Sequence, residues 1–318
     1  MTAAVLPDAA EPPSPAAKPR ADGLRDPRTI LAVAVTVLLW ASAFVVIRSA
    51  AVQFGPGELA LGRLTAGSVV LTAIWLVRGE GLPARAAWPG IVLAGVLWFG
   101  GYMVVLNWGE RKVDAGTASM LVNIGPILIA LLSGWLLKEG FPPRLLAGIV
   151  VSFAGAVVVG LAGSDGSRIS PLGVALCLVA AATYAAGTVS QKVALRHASA
   201  LQVTTFGCLI GTAACLPFAG GLVTQAAHEP WTASAKLVYL GVFPTALAFT
   251  AWAYALARTS AGKMGSTTYV VPTLVILMSW IALNQVPGWI AFVGGLLCLA
   301  GVGVSRSRPR KGARLTST

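Results

Sequence analysis

An all-α integral membrane protein of about ten transmembrane helices, built as two inverted five-helix repeats, is the fold class the sequence predicts. Three observations predict it: a strongly apolar composition, evenly spaced apolar runs, and a self-match between the two halves. Hydrophobic residues make up 56% of the 318 residues and charged residues 11%, with a mean hydropathy of +0.79. A water-soluble domain devotes roughly a quarter of its residues to charge, so this chain has too little polar surface to cover a globule in water.

The elements follow in order. Residues 1–28 are rich in Ala, Pro and mixed charge without apolar periodicity, and read as a disordered cytoplasmic tail. Ile30 to Ala51 is a first span, long enough at about 1.5 Å per residue to cross a hydrocarbon core of about 30 Å. Ala41-Ser42-Ala43 resembles a signal-peptide cleavage site, but apolar residues run straight past it. Further spans are expected at Glu58–Val77, Ala87–Gly109, Ala115–Leu137, Leu145–Ala162, Pro171–Val193, Leu201–Val223, Lys236–Leu256, Gly265–Leu283 and Trp289–Val304, each bounded by Gly, Pro or charge. Their length and their lack of two-residue alternation make them helices rather than barrel strands. The two five-helix units are expected at 29–163 and 170–305, with a basic cytoplasmic tail over 306–318.

Charge placement orients the bundle. The net charge of +12 falls almost wholly in the short gaps between spans and in the tails. With the N-terminus inside, 17 of the 23 Lys and Arg residues are cytoplasmic and only Arg111, Lys112, Arg168 and Lys236 are outside, Arg48 and Arg63 lying near outer helix ends. This distribution argues against nucleic acid as a partner and for the lipid bilayer. Cys177, Cys208, Cys215 and Cys298 lie inside apolar runs and read as small core residues.

The two halves repeat. Gly125-Pro126-Ile127-Leu128 through Trp135, Glu139, Gly148 and Gly155 aligns with Val271-Pro272-Thr273-Leu274 through Ile281, Gln285, Gly294 and Gly301, at a constant offset of 146 residues. Ala115-Gly116 meets Ala261-Gly262 at that offset, Trp108 falls opposite Tyr254, and with a two-residue slip Arg48 meets Lys192. Five spans per unit is an odd number, so the second unit lies upside down relative to the first. Inverted repeats commonly build two gates around one central site.

On these residues, together with Trp40 to Phe44, Arg63, and Tyr239-Leu240-Gly241 to Thr245, the chain resembles EamA-domain proteins of the drug/metabolite transporter superfamily over roughly Ile30 to Ser305. The resemblance implies a carrier of a small metabolite, an amino acid or related compound exported by alternating access; a multidrug or nucleotide-type carrier, or a membrane scaffold or sensor, are the alternatives. It also implies a cavity lined by helices 1, 3, 4, 6, 8 and 9. The family commonly has glutamate where Gln285 stands.

Polar and aromatic residues inside spans are costly unless they face protein or a wet cavity. Ser119, Asn123 and Pro126 share one face of helix 4, and Gly265, Tyr269 and Pro272 form the matching face of helix 9. The prolines each free a backbone carbonyl one turn earlier. Ser119, Asn123, Pro126, Tyr269 and Pro272, with Ser42 and with the residues that the resemblance brings to the cavity, Trp40, Tyr102, Asn107, Trp108, Tyr184 and Tyr254, are the expected substrate-pathway residues. Arg63 lies about 8 Å below a helix end and serves as an anchor or as the partner of an anion. No Asp or Glu is expected deep in a span, Glu58, Glu110, Asp114 and Glu139 all lying near ends, so facilitated diffusion or exchange is favoured over a proton relay. Membrane enzymes need paired aspartates, a serine with a histidine, or a zinc site. The two histidines, His197 and His228, lie in loops, so no enzyme activity, metal or cofactor is expected. High Arg use and the Ala/Pro-rich tail suggest a bacterial inner membrane, and the oligomeric state is left open.

Overall fold

The structure, a computed structural model, describes residues 26–112, 115–163, 171–283 and 289–306. The expected N-terminal tail up to residue 25, the basic tail from 307, Asp114, Arg168, Asn284 and Gln285 lie outside the described residues. Every described element is helical: α1 (Pro27–Ala50), α2 (Pro56–Arg78), α3 (Arg85–Glu110), α4 (Ala115–Val122), α5 (Gly125–Leu136), α6 (Pro143–Gly163), α7 (Pro171–Ala194), α8 (Ala200–Cys215), α9 (Ala219–His228), α10 (Trp231–Arg258), α11 (Ala261–Ser266), α12 (Val271–Leu283) and α13 (Trp289–Arg306). Among the described residues, six helices are long and apolar enough to cross a bilayer, or seven if the bent pair α8 and α9 counts as one span, and not the ten expected; α5, α6 and α13 contribute shorter apolar stretches.

The outer face is covered by side chains that water would not tolerate in such number, among them Leu31, Val69, Leu76, Val150 and Ile281. Exposed Trp135, Trp231 and Trp289 stand at helix ends, where indole rings favour the boundary between lipid and water. The chain is a multi-pass membrane protein.

Local chemistry sets the helix ends. Asp26 caps α1, accepting from the Arg28 amide at 3.3 Å, with Pro27 in the first turn. Gly79, in the left-handed region at φ 62°, ends α2. Ser199 and Gln202 form a capping box at the start of α8. Two spans expected to be continuous are broken. Helix 4 interrupts at Asn123-Ile124, ahead of Pro126, and the seventh span bends by 52° at Leu216–Phe218, where Pro217 supplies no amide hydrogen.

The contacts display the inverted symmetry. In the α6–α13 pair, Gly148 meets Gly301 and Gly155 meets Gly294, so numbers rise along one helix as they fall along the other. These helices occupy equivalent places in the two halves, and they run antiparallel. At the centre of the pair, Ser152 Oγ donates to the Cys298 carbonyl at 3.1 Å while Cys298 Sγ approaches the Ser152 carbonyl at 3.5 Å. These two residues are themselves 146 apart, so the pseudo-two-fold axis passes between them. Each half also carries a π-helical segment in its third long helix, Gly95–Tyr102 and Gly241–Leu247, again 146 residues apart at their starts.

A further pair of matching contacts ties the first helix of each half to the third. Arg48 Nη1 donates to the Glu110 carbonyl at 2.8 Å, and Lys192 Nζ donates to the carbonyls of Leu256 and Thr259. Residues 110 and 256 are equivalent, and both cations meet the negative end of a helix. Lys192 is buried, and Lys192→Met is expected to destabilise the protein by about 1.5–3 kcal/mol, the usual worth of a hydrogen bond to a charged group. Unfolding in mixed micelles measures the change; an unaltered midpoint would show that the contact adds nothing.

Candidate functional site

A cavity lies between the halves, with about 600 Å³ of space when the open solvent at its edges is included. Its walls come from α1 (Trp40, Phe44, Ile47), α2 (Arg63), α3 (Trp98, Tyr102, Leu106), helix 4 (Ser119, Val122, Asn123), α7 (Tyr184), α10 (Phe249) and the start of helix 9 (Thr268, Val271). The lining therefore includes helix 2 through Arg63, in addition to the six helices expected.

One end of the cavity is closed by rings. Trp40 packs on Trp252 at 4.9 Å and on Phe249 at 5.3 Å, and Trp98 packs on Phe249 at 4.8 Å and Tyr184 at 5.2 Å between centroids. The lining residues of α1 and α3 ascend from this floor toward Ala50 and Glu110, so the cavity extends toward the end of the bundle that holds the α1–α2 turn. The indole nitrogen of Trp40 is buried without a hydrogen-bond partner among the described residues, leaving a donor in the cavity floor.

Arg63 is the cation of this chamber. It is 4% exposed, and its Nε and Nη2 both donate to Thr245 Oγ1, at 3.2 and 3.1 Å. Thr245 in turn donates to the Leu240 carbonyl at 2.8 Å, inside the π-helical segment of α10. That bulge aims Thr245 at α2 and holds one edge of the guanidinium, while Nη1 makes no hydrogen bond to the described residues. The other half lacks this arrangement. The Arg63 carbonyl lies under Gly241 as the Gly207 carbonyl lies under Gly95, so Gly207 is the counterpart of Arg63, and the ring of Phe99 fills the place of Thr245. A guanidinium is not something the repeat requires.

Of the pathway residues expected from the sequence, Trp40, Arg63, Tyr102, Ser119, Asn123 and Tyr184 meet at the cavity. The others stand elsewhere. Ser42 bonds the Tyr239 hydroxyl at 2.8 Å and ties α1 to α10. Asn107 is buried outside the lining and donates to the Pro56 carbonyl at 3.0 Å. Trp108 is 45% exposed on the lipid side. The Tyr254 ring stacks under the Arg258 guanidinium at 3.5 Å. Tyr269 packs with Ala130, Leu145 and Ile149, facing α6. Pro126 packs against Gly265, and Pro272 starts α12, so both prolines act on helix geometry and place Val122, Asn123 and Thr268 in the wall instead of lining it themselves. Glu110 stands at the end of α3, as expected from the sequence, and is completely buried there because α2 and α7 cover that end.

A chamber enclosed by two antiparallel helical units, with a buried cation and an aromatic floor, defines a membrane carrier of small solutes. The chain belongs to the EamA-like transporter family, whose domain matches it twice, over residues 27–161 and 171–306. Similar proteins include a probable terminal-alkyne amino-acid exporter of Streptantibioticus cattleyicolor, 35% identical over 92% of this chain and 97% of that protein. Another is the uncharacterized transporter YdfC of Bacillus subtilis, 33% identical over 83% of this chain and 86% of its own length. A solved crystal structure with a TM-score of 0.71 and 22% identity, covering 87% of this chain and 96% of that one, has the same fold. The protein is a small-metabolite transporter of the EamA type.

Proposed function

We propose that the protein exports an amino acid or closely related carboxylate by alternating access, with Arg63 holding the carboxylate and the rings of Trp40, Phe44, Trp98, Tyr184 and Phe249 receiving its apolar part. The observation that carries this reading is the half-held guanidinium of Arg63 in the cavity wall, with no counterpart in the other half. A planar guanidinium suits a carboxylate because two parallel N–H donors match its two oxygens. The amino-acid class is supported by the name of the exporter from Streptantibioticus cattleyicolor, and the cavity's length and ring content suit an amphipathic side chain.

Alternating access is supported by the pseudo-two-fold axis. A cavity closed by rings at one end can exchange with a conformation in which the roles of the two two-fold-related halves are swapped. With the basic residues inside, the present cavity faces outward in a bacterial inner membrane, the release state of an exporter.

The test is counterflow in liposomes containing the purified protein, with labelled L-propargylglycine, L-phenylalanine, and phenethylamine as the analogue without a carboxylate. Counterflow of one of the amino acids well above protein-free liposomes, with phenethylamine at background, is expected. Equal flux of amine and amino acid would overturn the role given to Arg63, and flux of none would overturn the amino-acid assignment.

A further inference from the structure

The end of α3 carries a carboxyl group that substrate binding at Arg63 leaves unused. Glu110 is 0% exposed, and neither of its carboxylate oxygens has a hydrogen-bond partner among the described residues. The side-chain oxygen of Asn107 is buried and unpartnered as well, its nitrogen being occupied by the Pro56 carbonyl. Residues three apart share a helix face, so three acceptor oxygens without a donor stand on one side of α3. That side leads to the cavity: Tyr102 and Leu106 line it, and Glu110 follows Leu106 by one turn.

The surroundings select the ligand. From α1, Arg48 donates to the backbone carbonyl of Glu110, and from α2 comes Arg63. Among the described residues, Tyr102 on α3 and Cys177 on α7 also lie near it, exposed Arg111 and Lys112 follow it in the chain, and Ala115–Val122 of helix 4 brings no titratable group. A metal cation would sit beside two guanidinium groups, and the lining of the cavity ends one turn short, at Leu106. An ionised carboxylate with no donor on either oxygen is costly in a buried place. A proton answers all three conditions, because the neutral acid has no charge to solvate and its O–H has an acceptor at hand in Asn107. The repeat does not demand an acid here either, since the equivalent position is Leu256, buried in the core.

We infer that Glu110, assisted by Asn107, is a proton-binding site linked to the solute site through Arg63. The inference rests on the assignment of Arg63 as the partner of the solute carboxylate. Two anions compete for one guanidinium. When a solute carboxylate takes Arg63, the Glu110 carboxylate loses its counter-charge and binds a proton from the water of the open side, forming one O–H bond. When the solute leaves, the uncompensated charge of Arg63 again favours the ionised form of Glu110 across the cavity wall, and that proton returns to water. Proton and carboxylate therefore bind and leave together, which replaces the facilitated diffusion expected from the sequence with linked binding.

Infrared difference spectroscopy of the full-length protein in lipid nanodiscs, titrated with pH, tests this directly. A carboxylic-acid C=O band typical of an apolar setting is expected in the wild type, absent in Glu110→Gln, and shifted in frequency in Asn107→Leu, which keeps the acid but removes its acceptor. Saturating L-propargylglycine is expected to raise the proton affinity read from the band by about tenfold or more, one pH unit of linkage. Absence of the band, or its persistence in Glu110→Gln, overturns the proton site. A Glu110-dependent band that no carboxylate moves overturns the linkage. The band is read without any solute, so failure of amino-acid counterflow in liposomes would count against amino-acid export alone, while the spectra decide whether Glu110 binds a proton.

Discussion

Arg63→Gln is expected to lower counterflow of carboxylate-bearing solutes by about 10- to 100-fold while the protein folds as well as the wild type. The magnitude follows from the loss of charge-assisted hydrogen bonds worth about 1.5–3 kcal/mol, at about 1.4 kcal/mol per tenfold. The unaltered folding follows from burial. Arg63 is 4% exposed and, among the described residues, bonded only to Thr245, so the fold bears the desolvation of a guanidinium and receives one neutral acceptor in return. Glutamine keeps a donor for Thr245 Oγ1 and removes the charge. Arg63→Lys separates charge from geometry: it is expected to retain part of the flux with weaker apparent affinity, because an ammonium lacks the two-pronged fork. Concentration-dependent counterflow, with monodispersity in size-exclusion chromatography as the folding control, measures both. Full flux in Arg63→Gln would remove the anion-holding role.

The largest effect on stability is expected from Gly301→Leu. A Cβ at this position would lie 2.1 Å from Ser152 Oγ, 2.4 Å from the Ser152 nitrogen and 2.6 Å from the Gly148 carbonyl, and two of these are backbone atoms that no rotamer change can move. The α6–α13 pair must separate, breaking the Ser152–Cys298 contacts with it. In lipid, helices associate through close packing and hydrogen bonds and not through the hydrophobic effect, so separation forfeits most of what holds them. A loss of about 3 kcal/mol or more, at the upper end of overpacking, is expected, with Gly155→Leu behaving alike on the opposite side of the axis. Gly303→Ala is the control: nothing lies within 4 Å of its Cβ position, and a change within about 0.5 kcal/mol is expected. Unfolding midpoints in mixed micelles rank the three; equal midpoints would mean that the two helices do not pack through their glycines.

The membrane class, six or seven of the ten expected spans and the offset of 146 residues were legible because lipid imposes them residue by residue. A spanning helix must satisfy its own backbone groups and present apolar side chains over its whole length, so its presence is written locally. The equivalence of Arg48 with Lys192 was also visible, and the structure shows both capping the carbonyls of a third helix. The breaks at Asn123 and at Leu216–Phe218 were not read from the sequence, in which both spans are continuous; a proline stands near each, but where the helix yields depends on packing.

Rotation about each helix axis was not legible. In a soluble helix, polar residues mark the outward face; here lipid and protein core are equally apolar, so the sequence of α3 does not say that Tyr102 faces the chamber while Trp108 faces lipid. Glu110 shows the same limit at a helix end, where position alone suggests water and only the packing of α2 and α7 buries it. That this chain lives in a bilayer as two related antiparallel units follows from its residues alone. Tertiary structure alone decided that Arg63, Thr245 and the rings of Trp40 and Trp98 converge on one chamber, because a helix's orientation toward its neighbours is set by contacts between segments far apart in the chain.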